Sequence, residues 1–245
     1  MYRFKIILLA SLMISVSTAI AQKLAVSYSG YKIGNTATKD TALTILIAPY
    51  KDSINKSMNI TLGFSTNGLT KKQPESGLGN FMTDAMKTMA EKKFNTHIDA
   101  AFVNYGGIRS YLPKGDITVG KIFELMPFDN LIVLQAVKGD SLLSFLNAIA
   151  EKNGWPVSGI TFSIKDKKAT SILVDGKPLD TNATYTIANS DYIANGGDNT
   201  TMLKIFSQKN IGYLLRDALI AYTQLLTDKG QSIDVKTEKR IVYAR

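Results

Sequence analysis

The segment IDAAFVNYGGIRSYLPKGDITVGKIFELMPFDNLIVLQAV, residues 98–137, contains two apolar runs separated by a glycine loop and a short helical pattern. The runs IDAAFVN and LIVLQAV are typical of short buried strands. Between them, VGKIFELM has the spacing of apolar residues that covers one face of a short helix. Strands and helices that alternate within one continuous stretch predict a mixed α/β or α+β domain.

The rest of the chain continues this alternation. A helix is predicted to begin near Ser76, where apolar residues follow at spacings of three and four. Further helices are predicted over SLLSFLNAIAEK (141–152), over IGYLLRDALIAYTQLL (211–226) and over residues 38–58, although Pro49 lies inside the last. Strands are predicted at NITLGFS, ITFSI, SILVDG, TYTIANS and RIVYA. We therefore expect one α/β (α+β mixed) domain with mixed sheets layered between helices.

Three segments are predicted along the chain: a signal peptide at residues 1–21, an N-terminal extension and helix at residues 22–54, and the main domain at residues 55–245. The first segment has a positively charged start, MYRFK, an apolar run and the small-residue cleavage site Ala19-Ile20-Ala21. An uncleaved N-terminal anchor is the alternative interpretation of this segment. The signal peptide predicts a secreted, periplasmic protein with no membrane attachment after cleavage.

The composition excludes several kinds of site. The 245 residues include no cysteine and one histidine, His97. Disulfides, thiol nucleophiles and thiolate metal sites are therefore excluded. One imidazole is too few for the several His and Asp ligands of the usual phosphoesterase metal site. His97 is expected in a surface loop, and we expect no catalytic residue, metal or other cofactor in this chain.

The formal net charge of +9 is compatible with anionic small molecules, a membrane surface or nucleic acid, and also with solubility alone. The lysines are spread along the chain without a run interleaved with aromatic residues. That distribution argues against nucleic acid as the main partner.

Four loop-like stretches carry more polar side chains than a connection needs: PESGLGN (74–80), NYGGIRS (104–110), ELMPFDN (124–130) and SDYIANGGDN (190–199). Glycine pairs allow a ligand to approach the backbone, Arg offers a planar fork for phosphate, and Asp and Asn can bind hydroxyl groups or a base edge. Phe128 and Tyr192, flanked by these polar groups, can hold a flat ring between them. Simple tight turns and a core position for Phe128 are the alternatives.

Three longer segments, which between them overlap all four stretches, carry a resemblance to a known family. In order and spacing, PESGLGNFMTDAM, AFVNYGGIRSYLPKGDITVGKIFELMPFDN and YTIANSDYIANGGD resemble the C-terminal domain of the 5′-nucleotidases, which is the substrate-binding half of a two-domain phosphoesterase. The resemblance covers roughly residues 55–243. It implies the fold of that domain.

The resemblance also implies roles for particular residues. Two aromatic rings stack on the faces of the nucleobase, one Asn contacts the base, one Asp holds the ribose hydroxyls, and an Asn and an Arg face the base-sugar unit and the phosphate. A lysine stands where the family often has a phosphate-binding Arg, and Tyr192 replaces the commoner Phe. The implied substrate-binding residues are Phe128 and Tyr192 for stacking, Asn130 for the base, Asp198 for the ribose hydroxyls, Asn104 and Arg109 for the base-sugar unit and the phosphate, and Lys72 at the position of the family's Arg.

The catalytic half of the family's enzymes is missing from this pattern. That half carries two metal ions on Asp/His motifs with a GNHD signature, which this sequence lacks. The resemblance therefore implies the nucleotide- or nucleoside-binding half of a split 5′-nucleotidase, with the divalent metals in a separately encoded metallophosphatase. A non-catalytic periplasmic nucleoside-binding module is the first alternative, and a structural or adhesive module with a degenerate pocket is the second.

Overall fold

The computed structural model describes residues 26–31, 34 and 40–244, so the expected signal peptide lies outside the described residues. Contacts divide the chain into residues 1–46 and residues 47–245. Residues 26–31 of the first unit are irregular. Helix α1 (Thr41–Met58) begins in the first unit and ends in the second. Helix α1 contains Pro49 and has no buried residue. None of the described helices is long and apolar enough to cross a membrane.

The second unit alternates strands and helices, as the sequence predicts. Its strands and helices beyond α1 are β1 (Thr61–Ser65), α2 (Gly77–Phe94), β2 (Ala100–Phe102), β3 (Gly115–Thr118), α3 (Val119–Leu125), β4 (Leu131–Lys138), α4 (Gly139–Glu151), β5 (Val157–Ser158), β6 (Ile160–Lys165), β7 (Lys168–Val174), β8 (Lys177–Pro178), β9 (Thr184–Ser190), α5 (Asp191–Ala194), β10 (Lys209–Leu214), α6 (Leu215–Asp228) and β11 (Ile241–Tyr243).

The described strands form three sheets. The largest has the order β10-β4-β9-β2-β5, in which β2 and β9 are parallel and the other neighbours are antiparallel. A second sheet has the order β11-β6-β7-β8, with β11 parallel to β6. Strands β1 and β3 form an antiparallel pair. The expected mixed α/β architecture is confirmed.

The central strands of the five-stranded sheet are buried on both faces because their residues alternate between two apolar cores. Ala101 and Val103 pack into the first core with helices α2, α3 and α6. Ala100 and Phe102 point to the other face and pack into the second core with helix α4 and the four-stranded sheet. The polar loops that follow β2, β9 and α3 are thereby held on a rigid centre.

One boundary predicted from the sequence is wrong. The predicted helix over residues 211–226 begins only at Leu215, because residues up to Leu214 belong to strand β10. Leu214 pairs with Leu131 at the edge of the large sheet, and Gly212 has a φ of +73° that a helix does not allow. Strand pairing therefore overrides the helical spacing of this segment.

An ion pair anchors the C-terminal strand to helix α2. Arg240 donates to both carboxylate oxygens of Asp84 at 2.7 Å, and also to the Val157 carbonyl and to Glu238. Burial by itself lowers the pKa of the Arg240 guanidinium, but the hydrogen bonds and charges of Asp84 and Glu238 outweigh it and raise that pKa above its usual value. The pair is bidentate and nearly buried, so it fixes residues 238–243 against the domain.

Candidate functional site

One cavity of about 430 Å³ brings together most of the residues singled out from the sequence. Six of the seven predicted substrate-binding residues line it, whereas Lys72 is exposed and is not among the lining residues. The volume lies in the range usual for small-molecule sites. The lining residues are Asn104, Gly106, Gly107, Arg109, Phe128, Asn130, Tyr192 and Asp198.

The first wall of the cavity is the loop after strand β2. Asn104 ends the strand region and is buried, and its side-chain amide donates to Asp198 Oδ2 at 2.8 Å. A Cβ at Gly107 would lie 2.6 Å from Asn104 Oδ1, so only glycine leaves room for this amide. Arg109 is exposed, and its guanidinium donates to the Gly106 carbonyl at 3.4 Å. The glycines therefore shape the loop, and Asn104 and Arg109 supply its polar groups.

The second wall is the turn after helix α5. The Tyr192 hydroxyl donates to Asp198 Oδ1 at 3.1 Å and accepts from the Asp198 backbone N–H at 3.3 Å. Asp198 has a φ of 52°, which aims its carboxylate back toward Tyr192 and Asn104. A Cβ at Gly197 would lie 2.5 Å from the Tyr192 ring, so glycine lets the ring lie against the turn. The Asp198 carboxylate thus links both polar loops.

The third wall is the MPFDN loop between α3 and β4. Phe128 is 40% exposed, so the structure does not place it in the core. The Arg109 Cζ lies 5.8 Å from the centroid of the Phe128 ring. The Asn130 carbonyl accepts a hydrogen bond from the Leu215 backbone N–H, which ties the end of the loop to the start of α6. Two aromatic side chains that remain exposed, Phe128 and Tyr192, therefore line the same cavity.

Three basic residues that sequence reasoning missed support these loops. Lys71, rather than Lys72, donates to the carbonyls of Ile108 (2.8 Å) and Tyr105 (3.4 Å). Lys152 donates to the Asp198 carbonyl. Arg216 lies 4.2 Å from the Phe123 ring centroid, and it donates to Asp129 at 2.7 Å and to the Phe128 carbonyl at 3.4 Å. For Arg216, the sequence offered one signal of a supporting role: it is an Arg in the first turn of an otherwise apolar helix. At such a position, exposure to solvent is the default interpretation.

The groups that line the cavity can recognise a ligand by stacking, by hydrogen bonding and by charge. Two aromatic rings can stack on a flat ring, the Asp198 carboxylate can accept from hydroxyl groups, and Arg109 can bind an anion. The lining residues, all in the described part of the chain, include one carboxylate and no histidine. This set can hold and orient a ligand.

Comparisons with known proteins identify the family of this chain. The profile of the family "5′-nucleotidase, C-terminal domain" matches residues 53–205. The chain is 28% identical over 214 residues to the "Trifunctional nucleotide phosphoesterase protein YfkN" of Bacillus subtilis (strain 168), covering 78% of this chain and 14% of that protein. It is 27% identical over 200 residues to "Protein UshA" of Escherichia coli (strain K12), covering 78% of this chain and 35% of that protein.

A solved structure shows the same relationship. The 5′-nucleotidase precursor of Thermus thermophilus superposes with a TM-score of 0.74 at 26% identity, over 85% of this chain and 44% of that one. The chain thus spans less than half of the length of each of these relatives. The family match covers most of this chain, from before β1 to beyond α5. The chain belongs to the 5′-nucleotidase family, of which it matches the C-terminal domain.

Proposed function

We propose that this chain is the nucleotide-recognising half of a split 5′-nucleotidase. It binds the base, ribose and phosphate of a nucleotide or nucleoside, while a separately encoded metallophosphatase supplies the divalent metals and the hydrolysis of the phosphoric monoester. The single observation that carries this proposal is the pair Phe128 and Tyr192. Both rings are exposed, by 40% and 46%, and both line one cavity with Asp198 and Arg109.

The exposure of the two rings points to a planar, aromatic ligand. Large aromatic side chains bury much apolar surface when they can, and a face left open inside a cavity is available for stacking. Base–aromatic stacking contributes about 1–3 kcal/mol per base and tolerates any nucleobase. The base therefore lies between Phe128 and Tyr192 in this proposal.

In this proposal the polar groups of the site bind the ribose and the phosphate of the ligand. Asp198 is an acceptor at the foot of the Tyr192 ring, which suits the donating hydroxyls of a ribose. Arg109 is exposed at the Phe128 side, where its guanidinium suits a phosphate. Lys72 is retained in the proposal as a phosphate contact made from outside the cavity, since it is exposed and therefore free to move toward a charged group.

The division of labour with a second protein rests on the residues of the cavity. Hydrolysis by the family's two-metal mechanism needs several metal ligands, and the cavity offers a single carboxylate. The chain's one histidine, His97, is not among the lining residues. Export to the periplasm is part of the same proposal and is supported by the signal-like pattern of residues 1–21.

The proposal predicts that adenosine and 5′-AMP bind the purified chain and that each ring contributes to the affinity. Phe128→Ala and Tyr192→Ala should each lose about 1–3 kcal/mol of binding free energy, which is about 5- to 150-fold in Kd. Isothermal titration calorimetry measures both values. Tyr111→Ala is the matched control, because Tyr111 is 56% exposed and lies outside the cavity lining.

The control variant should bind adenosine like the unmodified chain. Ribose 5-phosphate, which lacks a base, should bind Phe128→Ala and Tyr111→Ala like the unmodified chain. In Tyr192→Ala it should lose only the contribution of the Tyr192 hydroxyl that is hydrogen-bonded to Asp198. Unchanged adenosine affinity in both Phe128→Ala and Tyr192→Ala would refute the stacking site and, with it, nucleotide recognition by this cavity.

A further inference from the structure

The only histidine of the sequence, His97, lies in a cluster of carboxylates away from the cavity lining. His97 and Asp99 occupy the segment between α2 and β2, and Asp175 occupies the turn between β7 and β8. The His97 Nε2 atom is 2.8 Å from Asp175 Oδ2 and 3.6 Å from Asp99 Oδ1. One ligand atom from each of the three residues lies within 4.8 Å of the others.

The negative charges around His97 favour the binding of a cation. The other ring nitrogen, Nδ1, is 3.5 Å from Glu91 Oε1, so both nitrogens of the imidazole face carboxylates. A neutral imidazole has one N–H, and the nitrogen without it would present a lone pair to an anion. In the described part of the chain, the ion pairs of this cluster set three carboxylates against one lysine, Lys87.

The surrounding hydrogen bonds already orient the candidate ligands. Asp99 Oδ2 accepts from the Thr186 backbone N–H at 2.6 Å, which leaves Oδ1 facing His97. Glu91 accepts from Lys87 at 3.0 Å and from the Ile98 backbone N–H at 3.1 Å, so its carboxylate is held beside Nδ1. A carboxylate beside the ring nitrogen that does not bind the metal is the usual arrangement behind a metal-binding histidine, and Glu91 Oε1 lies 3.5 Å from Nδ1.

The distances fit a small divalent cation. With metal–ligand bonds of about 2.0–2.2 Å, neighbouring ligand atoms of a tetrahedral site are separated by about 3.4 Å. The His97–Asp99 separation of 3.6 Å is already close to that value. The His97–Asp175 separation of 2.8 Å must open by about 0.6 Å, which Asp175 allows because it lies in a turn and is 41% exposed.

We propose that His97, Asp99 and Asp175 form a binding site for a divalent transition metal, with Zn²⁺ best suited to one imidazole and two carboxylates. Glu91 orients the His97 ring through Nδ1, and water completes the coordination, since His97 is 63% exposed. The metal links the lead-in to β2 of the five-stranded sheet with a turn of the four-stranded sheet. Its role is therefore to tie two parts of the domain together.

The test uses the mature chain prepared without a histidine tag, so that His97 is its single imidazole. Titration with ZnCl₂ should shift the two carbon-bound ring proton signals of His97 in the ¹H NMR spectrum and saturate at one Zn²⁺ per chain. Calorimetry should show that His97→Gln abolishes this binding and that Glu91→Gln weakens it by about 10- to 100-fold. Zinc should also raise the melting temperature of the unmodified chain but not that of His97→Gln.

Two aspartates in comparable turns provide a matched pair of variants. Asp175 and Asp166 both have left-handed backbone conformations, with φ of 46° and 50°, which Asn also tolerates. Asp175→Asn should lose zinc affinity by at least about tenfold, whereas Asp166→Asn should keep it. His97→Gln should keep its affinity for adenosine, which separates this site from the cavity.

Two results would overturn the proposal. The first is a His97 spectrum that does not change at saturating ZnCl₂, which requires no variant and so does not depend on any substitution folding. The second is equal zinc affinity in His97→Gln and the unmodified chain. Either result would leave His97 as a surface side chain that is hydrogen-bonded to Asp175.

Discussion

The Tyr192→Phe variant isolates the contribution of a single oxygen atom to the cavity. It keeps the ring that is proposed to stack on the base, and it removes the hydroxyl that donates to Asp198 Oδ1 at 3.1 Å and accepts from the Asp198 N–H at 3.3 Å.

Two opposing effects follow from that removal. Without the hydroxyl, the ring and the Asp198 carboxylate are no longer held in position before the ligand arrives, which lowers affinity. Conversely, without the Tyr192 hydroxyl the Asp198 carboxylate has more lone pairs available to accept hydrogen bonds from the ribose hydroxyls, which raises affinity. Each carboxylate oxygen can accept two hydrogen bonds, and Asp198 uses one per oxygen, with Tyr192 on Oδ1 and Asn104 on Oδ2. The loss of preorganisation is therefore the larger effect.

The magnitude follows from the value of one hydrogen bond. A net contribution of about 0.5–1.5 kcal/mol corresponds to an adenosine affinity about 2- to 12-fold weaker in Tyr192→Phe. Tyr192→Ala loses the stacking as well as the hydroxyl, so it should bind adenosine more weakly than Tyr192→Phe does. Calorimetry with adenosine and with 2′,3′-dideoxyadenosine measures both effects, and thermal melting verifies that each variant is folded.

The dideoxy compound tests the role assigned to Asp198. It lacks the hydroxyls that Asp198 is proposed to accept, so it should bind the unmodified chain more weakly than adenosine does. Adenosine affinity in Tyr192→Phe that is equal to or tighter than that of the unmodified chain would refute preorganisation by the hydroxyl.

Two further predictions concern the partner and the stability of the domain. A single-domain metallophosphatase of the family should hydrolyse 5′-AMP faster when this chain is added, with little gain on p-nitrophenyl phosphate. The variant Arg109→Ala should remove most of this selective gain. Equal stimulation of both substrates would favour a nucleoside-binding module instead. Asp84→Ala should lower the free energy of unfolding in urea by about 3 kcal/mol, because it leaves Arg240 nearly buried without its main partner. The double variant Asp84→Leu/Arg240→Met should recover most of that loss, and a loss below about 1 kcal/mol in Asp84→Ala would contradict the anchoring role of the pair.

The features that local sequence determines were predictable. The alternation of strands and helices indicated the mixed architecture, because each element carries its own hydrophobic period. The loops at residues 104–110 and 190–199 were recognisable because their glycines and polar residues are adjacent in sequence. The structure then brings Asn104 and Asp198 within 2.8 Å of each other, although 94 residues separate them.

The features that depend on distant contacts were not predictable. Sequence alone does not show that Lys71 reaches the carbonyls of Tyr105 and Ile108 and so supports their loop. The phosphate contact of its neighbour Lys72 stays a prediction. Residues 211–214 have a helical spacing, but pairing with β4 makes them part of a strand. The cluster around His97 depends on Asp175, which lies 78 residues away along the chain.

The most direct test of nucleotide recognition is a crystal structure of the chain with bound adenosine or 5′-AMP. We predict the base between the rings of Phe128 and Tyr192, with the ribose hydroxyls on the Asp198 carboxylate and the phosphate of 5′-AMP on the Arg109 side. A ligand bound elsewhere on the domain, or a base that contacts neither ring, would contradict the account.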